Sequence, residues 1–525
     1  MKRILMLGAG FMQGVAIRSA RSKGWHVTAV DANPAAVCKN EANAFYPVDL
    51  KNRDELLRLA TQIRDRDGLD GVFTAATDFS ASVAWITDHL GLPGHTFEAA
   101  LNASDKLRMR ACFKRDGVPC PRFFGIDRGL STRAVSLIQQ EGLSYPLVVK
   151  PVDNMGGRGC MAVRTETDLA GAIESALSNS RSGRVIIEEF MDGKEFSIEA
   201  LVFDGEVHLT GLADRHIFFP PFFIEMGHTI PADIDSDTEA ALVEVFRQGI
   251  KSLGLTHGVA KGDLKYTSRG VMVGEIAGRL SGGYMSGWTF PYSSGIDLTS
   301  LALDLAIGEK PIVPENTVNQ ICAERAWISI PGTVASVHGL DAARTMDGVR
   351  EIFSRAAVGD SVRFPINNVE KAGNCIAVAS GRRDAITSAE SACRSIVIRL
   401  ATNCPLTDSF LSATAAETGG FPPDAFNLPP GALDSSMQTL SVEISSQKRT
   451  KVLVRIPRDL DIYLDTGTDW AGRTLREALA LSISIEDGLV DSLSSEDDVS
   501  VRSLWRALAR GSVQGILYRY DSQKK

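Results

Sequence analysis

Several things are scarce or missing in this chain, and each omission narrows what it can be. Its eight cysteines form no CxxC pair and show no zinc-type ligand spacing, which points to reduced thiols rather than a metal-ribbon or disulfide framework. It has no excess of positive charge. The formal net charge of -8 argues against a protein that grips a nucleic-acid backbone, while local sites for small anions stay open. No apolar run is long enough to span a membrane, and the stretch after Met1-Lys2-Arg3 ends at Gly8, too short for a signal segment. A cytoplasmic protein without nucleic-acid or membrane partners is therefore expected. Aromatic residues make up only 7%, but 44% hydrophobic and 23% charged residues are ordinary for a globular protein and exclude wholesale disorder. At 525 residues the chain exceeds what one hydrophobic core supports, so three or four packed units are expected.

The opening reads as strand, glycine turn, helix and strand: Ile4 to Leu7, Gly8-Ala9-Gly10, Met12 to Ser22, then Val27 to Val30 ending on Asp31. A further strand at Gly71 to Thr74 and a helix near Ser82 to Leu90 complete a small doubly wound α/β domain over residues 1–101. From Asn102 the texture becomes α+β, with strands at Leu147 to Lys150, Met161 to Val163 and Val185 to Glu188. A helix from Ser236 to Gly254 opens with a capping-box spacing to Glu239. Strands at Gly258 to Lys265 and Val271 to Ile276 follow, joined by Ser268-Arg269-Gly270. These features set a second region at 102–312 and a third at 313–402. Thr414 to Ser436 reads as a linker or long loop, and strands at Val452 to Ile456 and Ile462 to Leu464 open an extra C-terminal α+β part of a region at 403–525.

The turn Gly8-Ala9-Gly10 could cradle a dinucleotide pyrophosphate, with Asp31 on a ribose, but the third glycine position is Gln13. A plain tight turn explains it as well, which leaves a nicotinamide-dependent dehydrogenase as an outside alternative. Elsewhere one stretch collects what phosphoryl transfer to a carboxylate needs: cations for phosphates, backbone donors, a hinge for adenine and carboxylates for magnesium. Lys106 follows Ser104-Asp105, and Lys150 ends an apolar strand directly before Pro151. Gly156, Gly157 and Gly159 let backbone amides approach phosphate oxygens. Glu188-Glu189-Phe190-Met191 suits an adenine hinge, and Glu195 suits ribose hydroxyls. Asp263 and Glu275 lie on adjacent strands, where two carboxylates would repel without a cation such as magnesium between them.

Lys106, Val149-Lys150-Pro151, the glycine loop, Glu188-Glu189-Phe190-Met191, Glu195, Asp263 and Glu275 recur here in the order found in ATP-grasp enzymes, which the chain resembles from about residue 1 to 400. Within that superfamily it looks most like the carboxylate-amine ligases that include L-amino-acid ligases. The runs that carry this are Phe223 to Pro231, Gly274 to Gly283, and Pro331-Gly332 with Gly348-Val349 and Gly359-Asp360. The resemblance implies an ATP-grasp fold with an N-terminal pre-grasp domain and a closing lobe. It also implies a reaction in which ATP and magnesium, or manganese in its place, activate a small carboxylate as an acyl phosphate for attack by an amine. By position it assigns Lys106 and Lys150 to phosphates, Glu188, Glu189 and Met191 to adenine, Glu195 to ribose, and Asp263 and Glu275 to metal. Arg279 would stabilise the transferring group. Thr77, Asp78, His228, Ser281 and Gly282 are candidates for touching substrate, and a homodimer is left open. One position departs: Ala277 stands where these enzymes usually have Asn. That departure keeps a nucleotide-binding regulator without turnover as an alternative, and a carboxylase or purine-pathway ligase of the same superfamily is a second enzyme reading.

Overall fold

A computed structural model describes residues 1–445 and 450–524. It divides into two compact units, one of residues 1–217, 227–323 and 379–382 and another of residues 218–226, 324–378 and 383–525.

The first unit begins with β1 (Arg3–Leu7), α1 (Phe11–Ser22), β2 (His26–Asp31), β3 (Ala44–Pro47), α2 (Arg53–Asp67), β4 (Gly71–Phe73) and α3 (Ser80–Leu90). The strands form a parallel sheet in the order β3-β2-β1-β4. Ile4 to Leu7 are buried, as a strand covered on both faces requires. The glycine turn is filled by the chain itself. Gly10 N donates to Gln13 Oε1 at 3.1 Å, Gln13 Nε2 donates to Ala75 O at 2.5 Å, and Ala9 N donates to Asp31 Oδ2 at 2.9 Å. Gln13 and Asp31 thus serve the turn rather than a dinucleotide.

Next come α4 (Phe97–Asn102), α5 (Lys106–Asp116), β5 (Phe123–Asp127), α6 (Ala134–Gln140), β6 (Leu147–Pro151), β7 (Met161–Val163), α7 (Glu166–Asn179) and β8 (Arg184–Glu189). Their antiparallel sheet runs β5-β8-β6-β7. The larger antiparallel sheet is built on β9 (Lys194–Phe203), β10 (Glu206–Phe218), β11 (Ile224–Ile230), then, after α8 (Ser236–Leu253), β12 (Gly258–Thr267) and β13 (Gly270–Ala277). These five strands run in the order β13-β12-β9-β10-β11 within an eight-stranded sheet. Helix α8 covers one face through Leu242, Phe246, Ile250 and Leu253, packed with Phe113 of α5 and Ile276 of β13. The expected capping box on Ser236 is replaced by Asp235, whose carboxylate accepts from Thr238 N at 2.8 Å.

In the second unit, strand Gly332–His338 lies between Ser361–Val362 and Val397–Leu400. A hairpin of Met437–Ser445 with Thr450–Pro457 packs on helices Leu475–Ile485 and Asp498–Gln523, with Trp505 and Tyr518 fully buried. The stretch from Thr414 to Ser436 forms neither helix nor strand, yet Ala425 and Phe426 sit in this core and hydrogen-bond through their amides to Arg510 O and Ala509 O. Ile462 to Leu464, expected as a strand, belongs to the 3-10 turn Arg458–Tyr463 and its cap. Leu460 and Leu464 are buried with period four, which a strand would not give. None of the eight cysteines forms a disulfide, and among the described residues no helix is long and apolar enough to cross a membrane.

Candidate active site

Alternating residues of four neighbouring strands project a polar face opposite the one that α8 covers. Cross-strand register sets them in rows. Glu195 of β9 pairs with Lys265 of β12 and Arg215 of β10; Ser197 pairs with Asp263, which pairs with Glu275 of β13; Glu199 pairs with Lys261, which pairs with Ala277. The two predicted metal-binding carboxylates are thus direct neighbours on adjacent strands, at a bulge after Asp263.

Cations surround them. Asp263 Oδ1 lies 2.9 Å from Arg215 Nη1, contacts the Lys261 ammonium and accepts from Ser197 Oγ at 3.2 Å. Glu275 Oε1 lies 3.5 Å from Lys106 Nζ. Burial and the nearby Asp263 push the Glu275 carboxyl up, but Lys106, Lys261 and Arg279 hold it below its ordinary range. Lys106 arrives there because Asp105 caps α5 with its side chain, accepting from Leu107 N and Arg108 N. One turn later on the same helix, Arg110 donates from Nε to Glu188 Oε1 at 2.7 Å and from Nη2 to Gly274 O at 2.6 Å.

Glu188 accepts from Lys150 Nζ at 2.6 Å with its other oxygen. Both carboxylate oxygens are therefore taken up within the chain, which assigns Glu188 to holding Lys150 rather than facing an adenine. Burial alone would raise its pKa, but Arg110 and Lys150 outweigh it and bring it down to about 2. Desolvation likewise opposes the Lys150 charge, and Glu188 overcomes it, so that ammonium titrates above its usual range.

The loop after β6 carries Gly156, Gly157 and Gly159 with φ of 68°, 75° and 67°. A Cβ on Gly156 would meet open space, whereas one on Gly159 would lie 2.9 Å from Asn179 Cβ. Asn154 staples this loop to α7 by donating from Nδ2 to Asn179 O at 2.7 Å, and its own carbonyl accepts from Lys106 Nζ at 2.7 Å. In the hinge, Glu189 N donates to Arg122 O and Phe190 N to Pro146 O. Met191 O accepts from Lys265 Nζ at 3.2 Å, and that ammonium lies 5.5 Å from the Phe190 ring centroid. Glu195 pairs with Arg215 at 2.5 Å and Lys265 at 3.5 Å.

Arg279, just past β13, donates from Nη1 to Leu280 O at 2.8 Å, and its enclosed Nε finds no acceptor among the described residues. Leu280 bridges in parallel to Ala75, which brings Ser281 and Gly282 beside Ala76 and the Thr77-Asp78 turn. Thr77 Oγ1 accepts from Phe79 N at 3.3 Å, and Asp78 pairs with Arg181. Ser281 N donates at 2.8 Å to Glu199 Oε1, which also takes the Ser286 hydroxyl at 2.5 Å. His228 is buried and bonded to Thr289 Oγ1 at 2.7 Å, inside the fold rather than on the polar face.

Sequence reasoning missed Arg110, Arg215, Lys261, Lys265 and Glu199. The spacing of Lys261, Asp263 and Lys265, two residues apart on one strand, was the available signal for two of them. The donor set suits a hard divalent cation, which takes a carboxylate or two and completes its shell with phosphate oxygens and water. Among the described residues no cluster of three His, Cys, Asp or Glu side chains could hold a metal. A cation at Asp263 and Glu275 would therefore need oxygens brought by a nucleotide.

Comparisons with known proteins recognise two domains in this chain. Residues 143–287 match the ATP-grasp domain and residues 326–401 match the L-amino acid ligase C-terminal domain 2. The chain is 26% identical over 412 residues to carnosine synthase 1 of Gallus gallus, covering 73% of this chain and 44% of that protein. It is 24% identical over 304 residues to alanine–anticapsin ligase of Bacillus amyloliquefaciens, covering 51% of this chain and 61% of that one. The chain thus spans less than two thirds of either relative. The crystal structure of the L-amino acid ligase from Bacillus licheniformis shares the fold, with a TM-score of 0.66 at 21% identity over 76% of this chain and 99% of that one. The chain thus carries an ATP-grasp domain and an L-amino acid ligase C-terminal domain, and it resembles the L-amino-acid ligases.

Proposed function

We propose that the protein is an ATP-dependent ligase that activates a small carboxylate as an acyl phosphate and joins it to an amine, releasing ADP and phosphate. The observation that carries this reading is the pairing of Asp263 with Glu275 inside a ring of Lys106, Lys261, Arg215 and Arg279. A carboxylate pair walled by cations suits a polyphosphate and its counterion, not a neutral metabolite.

Lys150, fixed by Glu188, and Lys106, fixed by the Asn154 carbonyl, would hold phosphate oxygens, with amides of the Gly156-Gly157 turn donating beside them. Phe190 and Met191 would flank the base, and Glu195 would take the ribose hydroxyls. Asp263 and Glu275 would hold magnesium, which supplies charge neutralisation at the phosphate oxygens. Arg279 would orient the incoming carboxylate, whose oxygen bonds to the γ-phosphorus as the bond to ADP breaks. As charge spreads over the transferring group, the Arg279 fork offers it donors already in place. The amine then attacks the acyl carbon, phosphate leaves, and the amine proton is lost. Ser281, held by Glu199 through its amide, and Gly282 after it would shape the acyl pocket together with Thr77 and Asp78.

The test is ADP release across pools of amino acids and small acids, with mass spectrometry of any amide product. Turnover that needs both a carboxylate and an amine, and disappears in Glu275→Ala, is expected. ADP release that proceeds with bicarbonate alone would replace this reading with a carboxylase. Nucleotide binding without ADP release in any pool would replace it with a regulatory role.

A further inference from the structure

The third row of the polar face holds a cation of that ring to which the reaction above gives no separate task. Lys261 lies between Glu199 on β9 and Ala277 on β13. Its side chain is 11% exposed, and its ammonium rests on Asp263 Oδ1, an oxygen that Arg215 and Ser197 also reach. On one side Ala277 offers a methyl group and no ligand atom. On the other, Glu199 gives Oε1 to Ser281 N and Ser286 Oγ, while its buried Oε2 has no hydrogen-bond partner among the described residues. A divalent cation in this row would sit against a fixed ammonium, with the nearer Asp263 oxygen already shared among three donors. Repulsion between such charges a few ångströms apart in a partly desolvated site outweighs what the remaining Asp263 and Glu199 oxygens could return.

We infer that Lys261 is a built-in cation of the nucleotide site, standing where a second divalent ion would have to bind, so that the triphosphate is held with one divalent ion at Asp263 and Glu275. The inference rests on the ATP-dependent reading above. It makes the lysine, rather than a second metal, the source of positive charge on the Glu199 side of the phosphates.

The full chain is titrated with Mn2+ in the presence of a non-hydrolysable ATP analogue, and bound ions are counted by electron paramagnetic resonance. Wild type should saturate at one Mn2+ per chain. Lys261→Met combined with Ala277→Asn removes the ammonium and adds an amide oxygen, and should saturate at two. Lys261→Arg keeps the charge and should stay at one, with thermal melting confirming that each variant is folded. Two ions in wild type would overturn the inference while leaving the ligase reading intact, and the wild-type count depends on no variant. A folded Lys261→Met/Ala277→Asn protein that still binds one ion would also overturn it. If the analogue does not bind wild type at all, the nucleotide reading fails, and this inference falls with it.

Discussion

Arg110 and Glu188 meet at 2.7 Å with both side chains only 1% exposed, and Lys150 closes on the second carboxylate oxygen at 2.6 Å. A buried carboxylate with two cations is costly to break from one side, because the charges left behind remain out of water. Glu188→Gln is expected to lower the stability of the first unit by about 3–5 kcal/mol at neutral pH. The pH dependence has a definite sign. Since the folded Glu188 titrates at about 2, below its ordinary 4.5, its contribution is complete above the ordinary value and drains away as pH falls towards 2. Denaturant unfolding followed down that acid limb should show a steeper loss for wild type than for Glu188→Gln. Parallel slopes would remove Glu188 from the stabilising role. Lys150→Ala should in addition raise the ATP concentration needed for turnover.

The glycine loop separates fold from function. Gly159 combines φ of 67° with a Cβ position 2.9 Å from Asn179 Cβ and 3.1 Å from Ser175 O, whereas Gly156 has φ of 68° and open space beyond. Gly159→Ala should cost about 1–3 kcal/mol through backbone strain plus a clash with α7. Gly156→Ala should cost about 1–2 kcal/mol, the backbone term alone. It should weaken nucleotide binding more than its modest effect on melting suggests, because the added methyl points to where phosphates would lie. Equal melting temperatures for the two variants, with unchanged nucleotide affinity, would contradict this division.

Much of this was legible before the structure, and the limits are physical. Lys106, Lys150, Asp263 and Glu275 could be picked out because each sits at an element end or on a strand pair joined by a short turn. The alternation of Glu195, Ser197 and Glu199 with Lys261, Asp263 and Lys265 was present in the sequence too, but strand periodicity does not say which strands are neighbours. The Glu188–Lys150 contact depends on β6 lying against β8 so that Val148 faces Glu188, placing the lysine on the diagonal. The grip of Ser286 on Glu199 joins residues 87 positions apart, and no local pattern announces it. Ile462 to Leu464 misled because a short apolar run fits a strand or a helical turn equally well, and burial of Leu460 and Leu464 decided for the turn.

Gln13 explains why the opening glycine turn is not a dinucleotide site. Its amide caps Gly10 and reaches Ala75 O, so the side chain lies where a pyrophosphate would have to approach the turn. Removing it leaves a buried carbonyl without that donor, and Gln13→Ala should cost about 1–3 kcal/mol. Neither wild type nor the variant should change the fluorescence of a reduced nicotinamide nucleotide in titration. A saturable change in wild type would restore the dehydrogenase reading.

Arg279 offers the sharpest separation of binding from chemistry. Its Nη1 is spent on Leu280 O at 2.8 Å, while its enclosed Nε has no acceptor among the described residues, so the guanidinium is anchored on one edge and unsatisfied on another. A lysine could keep the charge but not both edges, since its ammonium is a single point on a flexible stem. If the unsatisfied edge meets the transferring group, Arg279→Lys should leave ATP affinity within about twofold of wild type. Turnover should fall by about two to three orders of magnitude, the usual scale for losing one preorganised donor at a centre of developing charge. Equilibrium binding of a non-hydrolysable ATP analogue and single-turnover ADP formation read the two effects independently. A variant that loses analogue binding as strongly as turnover would move Arg279 from the reacting group to the nucleotide.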